Sequence, residues 1–163
     1  MTASEYRFTK HIEERGELFT SFDQQFFAPS FSLDKVSVSK KGVIRGFHGD
    51  DDTWKLISCM YGAFKLVVYD IDLGRRQVFV LSDQYSYFST ILVPPRHLNA
   101  HQCLTDKCIL HYKWDQPYDL SKQYSVHYLD EMINANWEDI PVILSDRDKK
   151  AKGLHDVISN SSK

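Results

Sequence analysis

Seven histidines are the side chains here best suited to acid–base chemistry, because imidazole gains and loses a proton near neutrality. His11, His127 and His155 stand among polar residues and read as surface groups. His97 and His101 flank Leu98-Asn99-Ala100 after Pro94-Pro95, and His111 precedes Tyr112. His48 ends the run Val43-Ile44-Arg45-Gly46-Phe47-His48, with Lys55 seven residues further on. From spacing alone His48 is either a general base or a strand-end imidazole bonded to a carbonyl. A metal held by His48, Asp50 and His101 is the competing chemistry. A metal wants a cluster of ligands, such as two histidines one residue apart with a glutamate a few positions on. Here position 50 is Asp50, and residues 53–58 contain no Glu, so a site without metal or cofactor is expected.

The segments that would carry these groups read as short strands. Residues 34–39 alternate apolar and polar, the period of a strand with one face buried. Residues 43–48 give a second strand, and Asp50-Asp51-Asp52 reads as a solvated loop. Residues 53–72 read as two strands turning near Tyr61-Gly62, a hairpin. Further strands are expected at 77–81, 88–93, 107–114, 123–128 and 140–143. Helical periodicity is weak outside residues 19–27, a short helix with an aromatic face, and the charged tail 146–158. Residues 159–163 are expected to be disordered. Many short strands separated by turns point to an all-β sandwich or barrel, a jelly roll with short peripheral helices, in one domain over 1–163.

Composition agrees with that class and excludes others. The chain has 163 residues with 10 Phe, 9 Tyr and 3 Trp, side chains that suit a half-buried pleated surface. Twenty Lys plus Arg against 22 Asp plus Glu leave a net charge of −2, so no broad basic surface draws nucleic acid or an anionic membrane. An anionic ligand must therefore meet cations inside a local site. No apolar run approaches the ~18–20 residues of a membrane span, and the first residues lack a signal-peptide core. Three cysteines without CxxC spacing suggest reduced structural thiols and a cytoplasmic location.

An ordered series of motifs then resembles the nucleotide-sugar 3,5-epimerases, the dTDP-4-dehydrorhamnose 3,5-epimerase family, over most of the chain. Glu14-Arg15-Gly16-Glu17-Leu18-Phe19 resembles D-x-R-G-x-F, and residues 37–48 resemble S-x-S-x-x-G-V-L-R-G-L-H. Lys55-Leu56-Ile57, Gly62 and the run from Val67 to Asp72 resemble K-L-V…G…V-D-L. Val93-Pro94-Pro95 to Ala100-His101 resembles I-P-x-G-x-A-H. Tyr112-Lys113 with Tyr118, and Leu144-Ser145-Asp146-Arg147-Asp148, resemble Y-K…Y and L-S-x-K-D. Two departures stand out. The family's H-x-Q is His48-Gly49-Asp50, and the segment before His101 is longer and lacks its glycine. Both are closer to a subgroup resembling epimerases of GDP-linked 4-keto-heptoses.

The resemblance implies a cupin-type fold, a homodimer whose N-terminal strand reaches the neighbouring subunit, and epimerisation of a GDP- or dTDP-linked 4-keto-6-deoxy hexose or heptose for surface polysaccharide. A 4-keto group acidifies the hydrogens at C3 and C5. Inversion needs a base on one face of the ring, a proton donor on the other and a cation at the enolate oxygen. By resemblance His48 is the base, oriented by Asp148, Tyr112 is the acid, and Lys55 stabilises the enolate. Imidazole titrates near pH ~6.5, and a neighbouring carboxylate raises its basicity. Arg15 and Arg45 are implied for the diphosphate, Tyr118 for the sugar and His101 for the pocket wall. Phe19 stacks on the nucleobase or packs in the core. Read without the resemblance, residues 145–150 are an ordinary solvated charge run. A 3,4-ketoisomerase is the alternative within the same fold, but it carries a His-x-His pair where this chain has His48-Gly49-Asp50. A non-catalytic sugar-binding module would not need a base and an acid on opposite faces.

Overall fold

The computed structural model describes residues 1–161. Among these, two antiparallel sheets pack face to face. One runs, in spatial order, β2 (Gly16–Phe19), β1 (Ser4–Glu13), β8 (Tyr87–Val93), β5 (Lys55–Tyr61), β10 (Lys107–Trp114) and β3 (Leu33–Lys40). The other runs β11 (Tyr124–Ser125), β4 (Ile44–Gly49), β9 (His97–Cys103), β6 (Ala63–Asp70) and β7 (Arg75–Ser82). This is the cupin-type jelly roll. Inward residues of both sheets, among them Ile57, Leu66, Val68, Ile91, Val93 and Leu110, fill the core between them. All three cysteines lie in this core, buried and unpaired, as small apolar side chains do.

Each sheet also buries part of its outer face. Phe27, Phe22 and Phe31 close over Leu56, Leu92, Tyr6 and Phe8 of the first sheet. The segment after β11 crosses the second sheet and covers Phe47, Leu98 and Ala100 with Ile133, Ala135 and Leu154. Phe47 is fully buried there, and full burial of a Phe side chain contributes about 1.5–3 kcal/mol. Two short helices, α1 (Asp146–Lys149) and α2 (Leu154–Ser161), end this segment.

Several expectations need correction. Strands β5 and β6 do not form a hairpin; the turn at Gly62 carries the chain from one sheet to the other. Gly62 has φ +74°, a left-handed conformation that disfavours a side chain. Residues 19–27 hold only a 3-10 turn at Gln24–Phe26, because their aromatics spread over the first sheet instead of lining a helix. Residues 140–143 contribute one bridge, Val43 to Ile143, and residues 123–128 give the two-residue β11 and a single bridge from Val126 to Lys152. Residues 159–161, expected to be disordered, belong to α2; 162 and 163 lie outside the described residues. Strands β1, β2 and β9 were not anticipated. Among the described residues no helix is long and apolar enough to cross a membrane.

Candidate active site

A bulge in β4 builds the site. Arg45 lies opposite His101 and His48 opposite Asn99, so three steps on β4 match two on β9. Without the extra residue, Arg45 and His48 would point to opposite faces of the sheet. With it, both turn inward while Phe47 anchors the strand in the outer cluster. Gly46 makes this possible. Its φ is +118°, and a Cβ would come within 2.5 Å of the Asn99 carbonyl oxygen.

The inward face opens on a cavity of about 670 Å³ between the sheets, lined by His48, Arg45 and Asn99 on one side and Lys55, Tyr112 and Trp114 on the other. Cross-strand register explains the second wall. Lys55 pairs with Trp114, and Ile57 and Lys35 flank Tyr112, so these residues share one face. Four cations, Lys35, Arg45, Lys55 and Arg147, line the cavity against one carboxylate, Asp148. A nearly neutral protein thus concentrates positive charge where an anion would enter.

His48 Nε2 lies 2.7 Å from Asp148 Oδ1. With Nε2 donating to that carboxylate, the lone pair for proton abstraction is on Nδ1. Asp148 is buried, not the solvated residue its charge run suggests. Ser145 caps α1 by accepting the Asp148 amide at 3.1 Å, and its hydroxyl donates to Asp148 Oδ2 at 2.9 Å. Burial pushes the Asp148 carboxyl up, but the His48 hydrogen bond and charge, with Ser145 and the Gly46 amide, hold it below the usual carboxylate range. Asp148 is therefore ionised at neutral pH.

Across the cavity, burial holds the Tyr112 phenol protonated well above its ordinary range, against the opposing pull of Arg45. Its hydroxyl lies 3.2 Å from His101 Nδ1. His101 is completely buried, and burial with the charges of Arg45 and His48 brings its pKa down to about 3, so it backs Tyr112 as a neutral imidazole. Burial also pulls the Lys55 ammonium down, and the Asp50 carboxylate at 3.5 Å opposes that pull. Asp50 is not in a solvated loop; it is buried.

Six of the nine residues anticipated for the site, His48, Lys55, Tyr112, Asp148, Arg45 and Tyr118, line this cavity, and His101 stands behind Tyr112. Arg15 does not; it sits on the exposed β1–β2 turn, paired with Glu13. Phe19 does not; it stacks on Phe88 with centroids 4.8 Å apart. Lys35, Trp114, Gln123 and Arg147 line the cavity without having been singled out as site residues. For Lys35 the signal was its alternation with Ser37 along β3. Gln123 carries no local signal, because a loop brings it in.

A profile of the family described as dTDP-4-dehydrorhamnose 3,5-epimerase matches residues 3–156. A dTDP-4-dehydrorhamnose 3,5-epimerase from Streptomyces griseus is 28% identical over 141 residues, covering 78% of this chain and 67% of the relative. A dTDP-4-dehydro-6-deoxyglucose 3-epimerase from a Streptomyces species is 29% identical over 162 residues, covering 93% of this chain and 80% of the relative. The crystal structure of a dTDP-6-deoxy-D-glucose-3,5-epimerase from Legionella pneumophila in complex with dTDP-4-keto-L-rhamnose is similar with a TM-score of 0.87 at 26% identity, covering 94% of this chain and 88% of that one. A profile match across nearly the whole sequence, on a jelly roll whose cavity holds the histidine–aspartate pair, makes this chain an isomerase of the dTDP-4-dehydrorhamnose 3,5-epimerase family.

Proposed function

We propose that the protein inverts C3, C5 or both in a nucleotide-diphosphate-linked 4-keto-6-deoxy sugar, supplying a deoxysugar donor for surface polysaccharide. The observation that carries this reading is the His48–Asp148 pair at 2.7 Å on one wall of a cavity whose other wall bears Tyr112 and Lys55. A sugar ring between the two sheets has the base on one face and the phenol on the other. His48 takes the proton α to the ketone, and its positive charge is balanced by Asp148. The electron pair moves onto the ketone oxygen, where the Lys55 ammonium meets it. Tyr112 delivers its proton to the opposite face. Phenolate and imidazolium then reset through solvent, so each inversion carries a solvent hydrogen into the sugar.

Arg45 and Arg147 are suited to the diphosphate, since a guanidinium fork fits phosphate oxygens. Tyr118 positions the sugar. A dTDP substrate is supported by the names of the relatives and by the ligand of the Legionella enzyme. The His48-Gly49-Asp50 departure keeps a GDP-linked sugar, heptose included, within the proposal. The protein is proposed to act as a homodimer in which Arg15 and Phe19, remote from the cavity of their own chain, serve the neighbouring one. Light scattering at twice 19.0 kDa tests that assembly.

Solvent exchange decides the function. Incubated in D2O with dTDP- and GDP-linked 4-keto-6-deoxy sugars in parallel, the protein is expected to place deuterium at C3, C5 or both with inversion. Tight binding without exchange would instead identify a sugar-binding module. Movement of the keto group from C4 to C3 would identify a ketoisomerase.

A further inference from the structure

We infer that Asp50 is a positioning residue for the enolate-binding lysine, fixing the Lys55 ammonium in the cavity wall from across the sandwich. The inference rests on the epimerase reading for its consequence, but not for its geometry. Lys55 begins β5 in one sheet, and Asp50 directly follows β4 in the other, two residues after His48. Both side chains are almost fully buried, 3% exposed each, and Nζ lies 3.5 Å from Asp50 Oδ2. An ammonium taken out of water needs a partner, or it gives up its proton.

The other groups facing Lys55 do not replace that partner. Trp114 offers a ring face 5.1 Å away, and Lys35, 4.9 Å from the same ring, is a like charge that opposes protonation. Asp115 adds a weaker attraction, and burial pushes its own carboxyl up. Its oxygen is also engaged by the Trp54 amide at 2.8 Å.

Asp50, in contrast, is held rigidly. Oδ1 accepts the Thr53 and Asp52 amides at 2.6 and 3.1 Å, and Oδ2 accepts Gln123 Nε2 at 2.6 Å. Its own carbonyl accepts the Arg96 amide at 2.8 Å. Despite its burial, the Lys55 charge and these hydrogen bonds hold the Asp50 carboxyl below the usual range. One strand end thus places both the base, directly, and the cation, through Asp50. Position 50 is where the motif resembled here has glutamine, so the carboxylate is a property of this chain.

The test is Asp50→Asn in protein labelled with 13C at lysine Cε, with the Lys55 resonance assigned by Lys55→Arg. The Lys55 titration midpoint is expected to fall by about 1–2 pH units, the usual effect of removing an opposite charge at this range. Asp50→Glu, which keeps the charge, should retain the original midpoint. The double variant Asp50→Asn/Gln123→Glu, which moves the carboxylate to the neighbouring position, should recover most of the shift. In the exchange assay the high-pH limb of kcat should move down by the same interval with KM little changed, because the cationic Lys55 is lost at lower pH. An unmoved midpoint, or a loss of rate uniform in pH, would overturn the inference and leave Asp50 a loop-stabilising residue. If the wild-type protein shows no exchange, the epimerase reading fails, while the titration still decides whether Asp50 holds Lys55.

Discussion

Replacing Asp148 with asparagine perturbs the proposed reaction at one bond. The carboxylate is 3% exposed and 2.7 Å from His48 Nε2, so the bond is short, buried and carries full charge once the imidazole is protonated. A charge-assisted hydrogen bond of this kind contributes about 1.5–3 kcal/mol. At ~1.4 kcal/mol per decade, its loss in the transition state alone slows proton abstraction about 10–150-fold. Asparagine adds a second effect. Its NH2 group can donate to Nε2, which puts the ring proton on Nδ1 and removes the lone pair that should face the sugar. The two together predict a fall in kcat of about 10²–10³-fold, with KM changed less than about threefold, since the lost interaction belongs to the charged base. The assay is the initial rate of deuterium uptake from D2O, followed by proton NMR at saturating and subsaturating substrate. A thermal melt alongside it checks folding. A folded Asp148→Asn protein exchanging at more than about a third of the wild-type rate would refute the assignment of His48 as the base.

Tyr112→Phe should separate the two half-reactions: exchange of the abstracted hydrogen continues, while inversion falls at least about 10²-fold. Equal loss of both would place Tyr112 before proton abstraction. Gly46→Ala should cost about 3 kcal/mol, or about 6–12 °C in Tm, because its Cβ would meet the Asn99 carbonyl oxygen at 2.5 Å in a backbone with φ +118°. An unchanged melt would show that the bulge does not depend on glycine. His101 sets a pH dependence of stability. Its folded pKa of about 3 lies below the ordinary histidine value of ~6.5, so the unfolded chain takes up the proton first. Its full contribution is present above pH ~6.5 and is lost as pH falls towards 3, about 2 kcal/mol of it by pH 5. Wild-type protein should therefore lose Tm between pH 7 and 5 more steeply than His101→Gln, and parallel curves would refute the burial argument.

Most strands were legible because alternation survives wherever one face meets solvent. Residues 34–39 show this within an observed strand, but with the faces reversed: Val36 and Val38 are exposed, whereas Lys35, Ser37 and Ser39 lie on the more buried side. Residues 77–81, apolar after Gln77, lie within an observed strand without alternating in polarity. Strand β1 carried the same signal in Tyr6, Phe8 and Lys10, interleaved with exposed residues. Strand β9 did not. All seven of its residues are buried, polar ones included, because it is covered on both faces. The hairpin expected at Gly62 failed for another reason. A tight turn between two apolar strands has the same local chemistry whether the chain returns to its own sheet or crosses to the facing one.

By itself the sequence determined the inventory and the order of the site: a histidine, a lysine, an arginine, a tyrosine and a carboxylate among motifs that resemble one enzyme family. It also determined that these groups sit on short strands, because residue type and period are local properties. Only the tertiary structure decided which of them meet. A one-residue bulge turned Arg45 and His48 to the same face, and a helix cap at Ser145 buried Asp148 out of an apparently solvated charge run. The same packing left Arg15 on an exposed turn and brought Asp50 against Lys55. Facing direction and burial arise from contacts between residues far apart in the chain, as with the 2.7 Å bond that joins positions 48 and 148. No local pattern encodes them.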